Sequence, residues 1–156
     1  MQRRFFLKST LASSAVAMAA SSGLLVPGQV FALAEWNKAA FDAKDLQSAM
    51  KGAVGSDMTD ASDKITVKAP DIAENGAVVP VTISTTLPDV KNISLFVEQN
   101  GTPLAAKYNL GATAEAFIST RIKMGKTSNV IAVCESGGKL YSARKEVKVT
   151  IGGCGG

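Results

Sequence analysis

A mainly β fold, one antiparallel sandwich behind a short N-terminal helix, is predicted by three observations. Apolar residues recur with period two from Ile65 onward. Turn-forming residues interrupt that pattern at roughly ten-residue intervals. Only one stretch ahead of it carries helical spacing.

The helical stretch is Asp42 to Lys51, where Leu46 and Met50 stand at i and i+4, with Phe41 before and Gly52 after. Phe41, Leu46 and Met50 read as packing residues on the apolar side of a short amphipathic helix. The alternating segments follow: Ile65/Val67/Ala69, Val79/Val81/Ile83, Ile93/Leu95/Val97, Ala116/Ile118/Ile122/Met124 and Val147/Val149/Ile151. Val130-Ile131-Ala132-Val133 is continuously apolar, which suits a more central strand. Leu104 to Leu110 adds a short strand bounded by Pro103 and Gly111. Glu74-Asn75-Gly76, Leu87-Pro88-Asp89, Gln99-Asn100-Gly101, Gly125-Lys126 and Ser136-Gly137-Gly138 supply the turns. Six or seven short strands so separated indicate one sandwich of immunoglobulin-like type, spanning 33–151.

The two ends of the chain are unlike this body. Met1-Gln2-Arg3-Arg4-Phe5-Phe6-Leu7-Lys8 is a paired-arginine segment ahead of an Ala- and Ser-rich apolar stretch, Leu11 to Val26. Small residues at Val30-Phe31-Ala32 and Ala32-Leu33-Ala34 suit a signal peptidase, placing the leader at 1–32 with cleavage after 32 or 34. Arg3 and Arg4 make it similar to a twin-arginine export signal and thus imply the periplasm. The apolar stretch is short for a membrane anchor, holds serines and runs into Pro27-Gly28.

Removal of the leader takes away Arg3, Arg4 and Lys8, leaving fourteen Lys and Arg against thirteen Asp and Glu. A mature net charge of +1 carries no basic run of the kind nucleic acid requires. The roughly 122–124 remaining residues suffice for one core without disulfide staples. The chain contains no histidine. That excludes Ser-His-Asp and Cys-His nucleophile activation, histidine acid–base work and histidine metal ligation. Two cysteines cannot form a four-thiolate zinc site either. No metal site is expected.

The last five residues are Gly152-Gly153-Cys154-Gly155-Gly156. Four of the fourteen glycines lie there, flanking one thiol at 152–156. Glycine opens both signs of φ and adds no side-chain bulk, so the arm is slim and flexible. From Gly152 to Cys154 the backbone reaches roughly 10 Å when extended. Such an arm can present a thiol inside a narrow cleft of another protein. The carboxylate of Gly156 disfavours the thiolate, so activation of Cys154 falls to that protein.

Cys134 is placed differently, after Val133 in the apolar strand. It reads as a small core hydrophobe, with a redox pairing of Cys134 and Cys154 as the alternative. Phe96 and Phe117 interrupt the alternation and point away from the inner face of a sheet. Either the helix covers one of them, or both form an apolar surface for a partner, rimmed by Arg121 and Lys123.

The twin-arginine leader, the single sandwich and the terminal Val-Lys-Val-Thr-Ile-Gly-Gly-Cys-Gly-Gly resemble the SoxY family of bacterial thiosulfate oxidation. The resemblance extends through Ser119-Thr120-Arg121-Ile122-Lys123-Met124 and Gly137-Gly138-Lys139-Leu140-Tyr141. It implies a non-catalytic carrier whose sulfur cargo is bound covalently to Cys154, with no other cofactor. It implies a heterodimer with SoxZ and transient contacts with SoxAX, SoxB and, where present, a sulfane dehydrogenase. A homodimer linked through an oxidised Cys154 pair is a further expectation. The family motif demands only the terminal cysteine, so Cys134 departs from it.

Overall fold

The computed structural model describes residues 37–150. Two short helices open this region where the sequence predicted one. Helix α1 spans Lys38–Asp42 and α2 spans Leu46–Val54. Asn37 caps α1, its Oδ1 accepting from the Ala40 amide at 3.2 Å. Asp45 caps α2 by accepting from the Ser48 amide at 2.8 Å. That cap breaks the expected 42–51 helix in its first turn. At the far end Gly52 does not stop α2. The helix continues to Val54 and ends on Gly55 in the left-handed region, φ 80°. Gly52 serves close packing: a Cβ there would stand 2.9 Å from Ala40 Cα, so its absence lets α1 lie directly on α2. The Asn37 side chain also donates to Gly52 C=O at 2.6 Å.

Nine strands follow: β1 Asp60–Ala61, β2 Ile65–Lys68, β3 Ile72–Ala73, β4 Val79–Thr85, β5 Val90–Val97, β6 Leu104–Asn109, β7 Phe117–Ile122, β8 Ser128–Ser136 and β9 Lys139–Val149. They form two sheets, consistent with the immunoglobulin-like sandwich. The larger runs β1-β9-β8-β5-β6 with β3 also on β9; the smaller runs β2-β4-β7. The long strands are antiparallel throughout. The two-residue strands β1 and β3 pair with β9 in parallel, while β2 between them joins the opposite sheet. The chain therefore leaves one sheet, crosses to the other and returns. Two-residue strands carry no period, which is why the sequence did not disclose them.

Between the sheets lie Val79, Val81 and Ile83 of β4, Ile93, Leu95 and Val97 of β5, and Val130, Ala132 and Cys134 of β8. A second apolar layer forms on the other face of the large sheet. There Phe96, Leu104, Ile131 and Val133 pack against Ala40, Ala49, Met50 and Ala53 of the helices. Strands β5 and β8 are thus buried on both faces, which accounts for the unbroken apolar run at 130–133. The β8–β9 hairpin turns on Gly137 and Gly138, both at positive φ, with Ser136 opposite Lys139. This is the two-residue loop that matches strand twist.

Candidate functional site: the base of the thiol arm

Cys154 and the arm residues Gly152, Gly153, Gly155 and Gly156 lie outside the described residues, as do Arg3 and Arg4. The structure shows instead how strand β9 ends. Strand β9 delivers the chain to Thr150, and three separate contacts hold that end. Strand β3 pairs Ile72 with Lys148 and Ala73 with Val149. The Lys148 amide donates to Asp71 C=O at 2.9 Å, and the Thr150 amide donates to Ala73 C=O at 3.2 Å. From the opposite side the Val149 amide donates to Thr127 Oγ1 at 3.0 Å.

The β7–β8 connection that supplies Thr127 is itself fixed. Met124 N–H donates to Gly76 C=O at 2.7 Å. Asn100 donates through Nδ2 to Lys123 C=O at 2.7 Å and accepts from the Gly125 amide at 3.0 Å. Lys145 Nζ meets Asp71 Oδ1 at 2.5 Å, and that hydrogen bond holds the Asp71 carboxyl below the usual carboxylate range. The chain is therefore held by hydrogen bonds as far as residue 150, two residues before Gly152. Sequence reasoning missed Asp71, Ala73 and Gly76 in this role because they act through backbone carbonyls, which leave no mark in residue type, and Thr127 because its hydroxyl meets a strand 22 residues away. Only Gly76 left a trace, as a turn residue.

Cys134 is fully buried between the sheets, opposite Ile93 on β5 and Tyr141 on β9. Burial in these apolar surroundings pushes its thiol up to about 12. It is a core side chain, as read from the sequence.

The two phenylalanines part company. Phe96 faces away from the inter-sheet core as expected, but α1 and α2 cover it completely, so it offers no surface to a partner. Helix packing wins because β5 is central and its second face must be shielded. Phe117 lies on β7, in the other sheet, and is 49% exposed. The two rings share no face. Arg121 and Lys123 are exposed beyond Phe117 along the same side of β7.

Among the described residues no group of three metal-ligating side chains forms. No helix among them is long and apolar enough to cross a membrane.

The family model for sulfur oxidation protein SoxY matches residues 50–154, most of the chain and as far as Cys154. The chain belongs to the SoxY family. A solved structure of the sulfur carrier protein SoxY from Chlorobium limicola f thiosulfatophilum is 44% identical, with a TM-score of 0.63. The match covers 69% of this chain and 97% of that one. A structure from work on T cell specificity and the superantigen toxic shock syndrome toxin-1 is also similar, at 8% identity and a TM-score of 0.40 over 55% of this chain and 99% of that chain. That weak likeness carries no argument. No curated protein matches the chain. As a SoxY family member, the chain ends its family match on the thiol singled out by composition.

Proposed function

We propose that this protein is a covalent carrier of sulfur intermediates, with Cys154 as the attachment site and residues 152–156 as a swinging arm. The observation that carries the reading is the family match running to Cys154, together with the 44% identity to a protein named a sulfur carrier. The chemistry of the described residues agrees. Cys134 is sealed in the core with its proton held, so it is a poor nucleophile and a poor resolving thiol. A redox pair of Cys134 with Cys154 would require opening the sandwich between β5, β8 and β9.

Carrier chemistry divides the labour. The Cys154 thiol and thiosulfate form a sulfur–sulfur bond, releasing one proton and two electrons, which a SoxAX-type haem partner takes up in one-electron steps and passes on to an external acceptor. A SoxB-type hydrolase then adds water across the terminal sulfur–sulfur bond and frees sulfate, leaving sulfane sulfur on Cys154. A sulfane dehydrogenase, where present, oxidises what remains. The chain supplies a thiol and its delivery. It performs no bond chemistry alone, acts in the periplasm after twin-arginine export through Arg3 and Arg4, and pairs with SoxZ.

The test is Cys154→Ser beside Cys134→Ser in the reconstituted system. Thiosulfate-dependent oxygen uptake is expected to vanish in the first and persist in the second. Activity retained in Cys154→Ser overturns the proposal.

A further inference from the structure

Among the described residues the sandwich has four sheet edges, and three of them are protected. Strand β9 is covered at its two ends by β1 and β3. Strand β6 carries a register irregularity against β5 and lies beneath the helices, with Lys107 Nζ donating to Ala53 C=O at 2.5 Å. Strand β2 is four residues long and is followed by Pro70. Short strands, irregularities, prolines, covering helices and charged side chains are the devices that keep an edge from pairing with another chain. Strand β7 has only the last of these, in Arg121 near its end. It is six residues long, regular against β4 from Phe117 to Ile122, and lacks proline.

The direction of its free groups follows from the ladder. Thr85 N–H donates to Ala116 C=O at the start of the β4–β7 pairing. Alternation then turns the amides of Ile118, Thr120 and Ile122 toward β4, and those of Ser119 and Arg121 toward the open edge. The outer face of the same sheet carries Lys68 on β2, Pro80 on β4, and Phe117, Ser119, Arg121 and Lys123 along β7 and its continuation. No carboxylate lies on that face within the three strands. Lys68, Arg121 and Lys123 form no ion pair among the described residues.

We infer that β7 is the docking edge for a strand of a partner protein whose flanking side chains are acidic. The added strand takes the free N–H and C=O groups of Ser119 and Arg121, covers Phe117, and sets carboxylates against Arg121 and Lys123. Strand addition draws its affinity from main-chain hydrogen bonds and its selectivity from alternate side chains. The cationic face steers an acidic partner and disfavours a second copy of itself. This assignment rests on the partner subunit proposed above and specifies where and how it binds.

The experiment uses the mature chain co-expressed with SoxZ under reducing conditions. Ser119→Pro removes an amide that faces the open edge, a position where a strand tolerates proline, so the sandwich should keep its circular dichroism and melting behaviour. It should weaken SoxZ binding by about tenfold, as expected for lost edge hydrogen bonds. Arg121→Glu, which leaves the backbone alone, should weaken it as well. In the wild-type complex the Ser119 and Arg121 amides should exchange with deuterium markedly more slowly than in the free chain.

If wild type binds SoxZ while both variants bind equally well and those amides are unprotected, the edge assignment alone is overturned. If wild type fails to bind SoxZ, the partner reading falls and this inference with it. A reduced wild-type chain that dimerises by itself, and loses dimerisation in Ser119→Pro, assigns the edge to a second copy and overturns the acidic partner. Should Ser119→Pro misfold, Arg121→Glu and the wild-type exchange data decide.

Discussion

Gly76 passes so close beneath Val149 that a Cβ at position 76 would stand 2.9 Å from Val149 Cγ1. The same Cβ would collide with Met124 C=O, the carbonyl of the residue whose amide Gly76 binds. Gly76 thus allows the β3–β4 turn, the end of β7 and the last residues of β9 to meet. This junction fixes the end of β9, the last strand before the proposed arm.

Gly76→Ala is therefore expected to destabilise the domain by about 1–3 kcal/mol, the usual cost of forcing extra volume into a packed site. Backbone carbonyl is the main obstacle, so rotamer changes cannot relieve it. Denaturant unfolding reads the loss. Amide exchange should show Val149 and Thr150 opening more readily than the centre of β8. An unchanged midpoint would mean that the junction relaxes freely.

A second glycine decides the helical layer. Alanine in a helix interior is ordinarily favoured over glycine by about 1 kcal/mol, so Gly52→Ala would stabilise an isolated α2. Here the new methyl would press on Ala40 Cα, which belongs to the backbone of α1. Steric cost should outweigh propensity, lowering the melting temperature. The Phe96 layer should loosen with it, since Ala40 and Ala49 both cover that ring. A rise in melting temperature would show that α1 contributes little.

These two positions also explain what the sequence could and could not disclose. Period-two alternation located the long strands because each buries one face against the other sheet. The run Val130 to Val133 announced a central strand because both of its faces are covered. Phe96 and Phe117 looked alike in the pattern, both falling between inward residues. Which of them the helices would cover depends on the order of strands across two sheets, and alternation within one strand does not carry that. The parallel pairings of β1 and β3 were invisible for the same reason, being main-chain contacts between distant segments. Composition sets Cys154 apart in the sequence, and the family match runs as far as that residue. The anchoring of the end of β9, Lys148 to Thr150, by Asp71, Ala73 and Thr127 was not legible there.

Cys134 gives a prediction with a definite sign. Its folded thiol is pushed up to about 12 by burial, above the ordinary value of 9.0. The unfolded chain therefore loses this proton first as pH rises, and binds fewer protons than the folded chain in between. Stability contributed by this group is full below the ordinary thiol value and declines from there toward about 12. Cys134→Ser should abolish that part of the alkaline decline, because a hydroxyl does not titrate in this range. The same variant should cost about 1–3 kcal/mol at neutral pH if its hydroxyl is buried without a partner. Thiol labelling of the native wild type should modify one cysteine per chain, the second reacting only on unfolding. Rapid labelling of both would contradict the sealed core.

The arm's slimness is testable apart from its thiol. Gly153→Val with Gly155→Val keeps Cys154 but adds branched bulk on both sides of it and restricts φ and ψ. Both positions lie past the last strand, which ends at Val149, and past the Thr150 amide that β3 holds. The melting temperature should match wild type. Reaction of the thiol with a small free reagent should also be nearly unaffected, since such a reagent needs no narrow cleft to reach it. Turnover with the partner enzymes should fall by about ten- to a hundredfold, because the reacting sulfur no longer attains its working position in their clefts. The contrast between the two readouts separates delivery from intrinsic reactivity. Equal turnover in the double variant would remove the steric part of the carrier mechanism while leaving Cys154 as its attachment site.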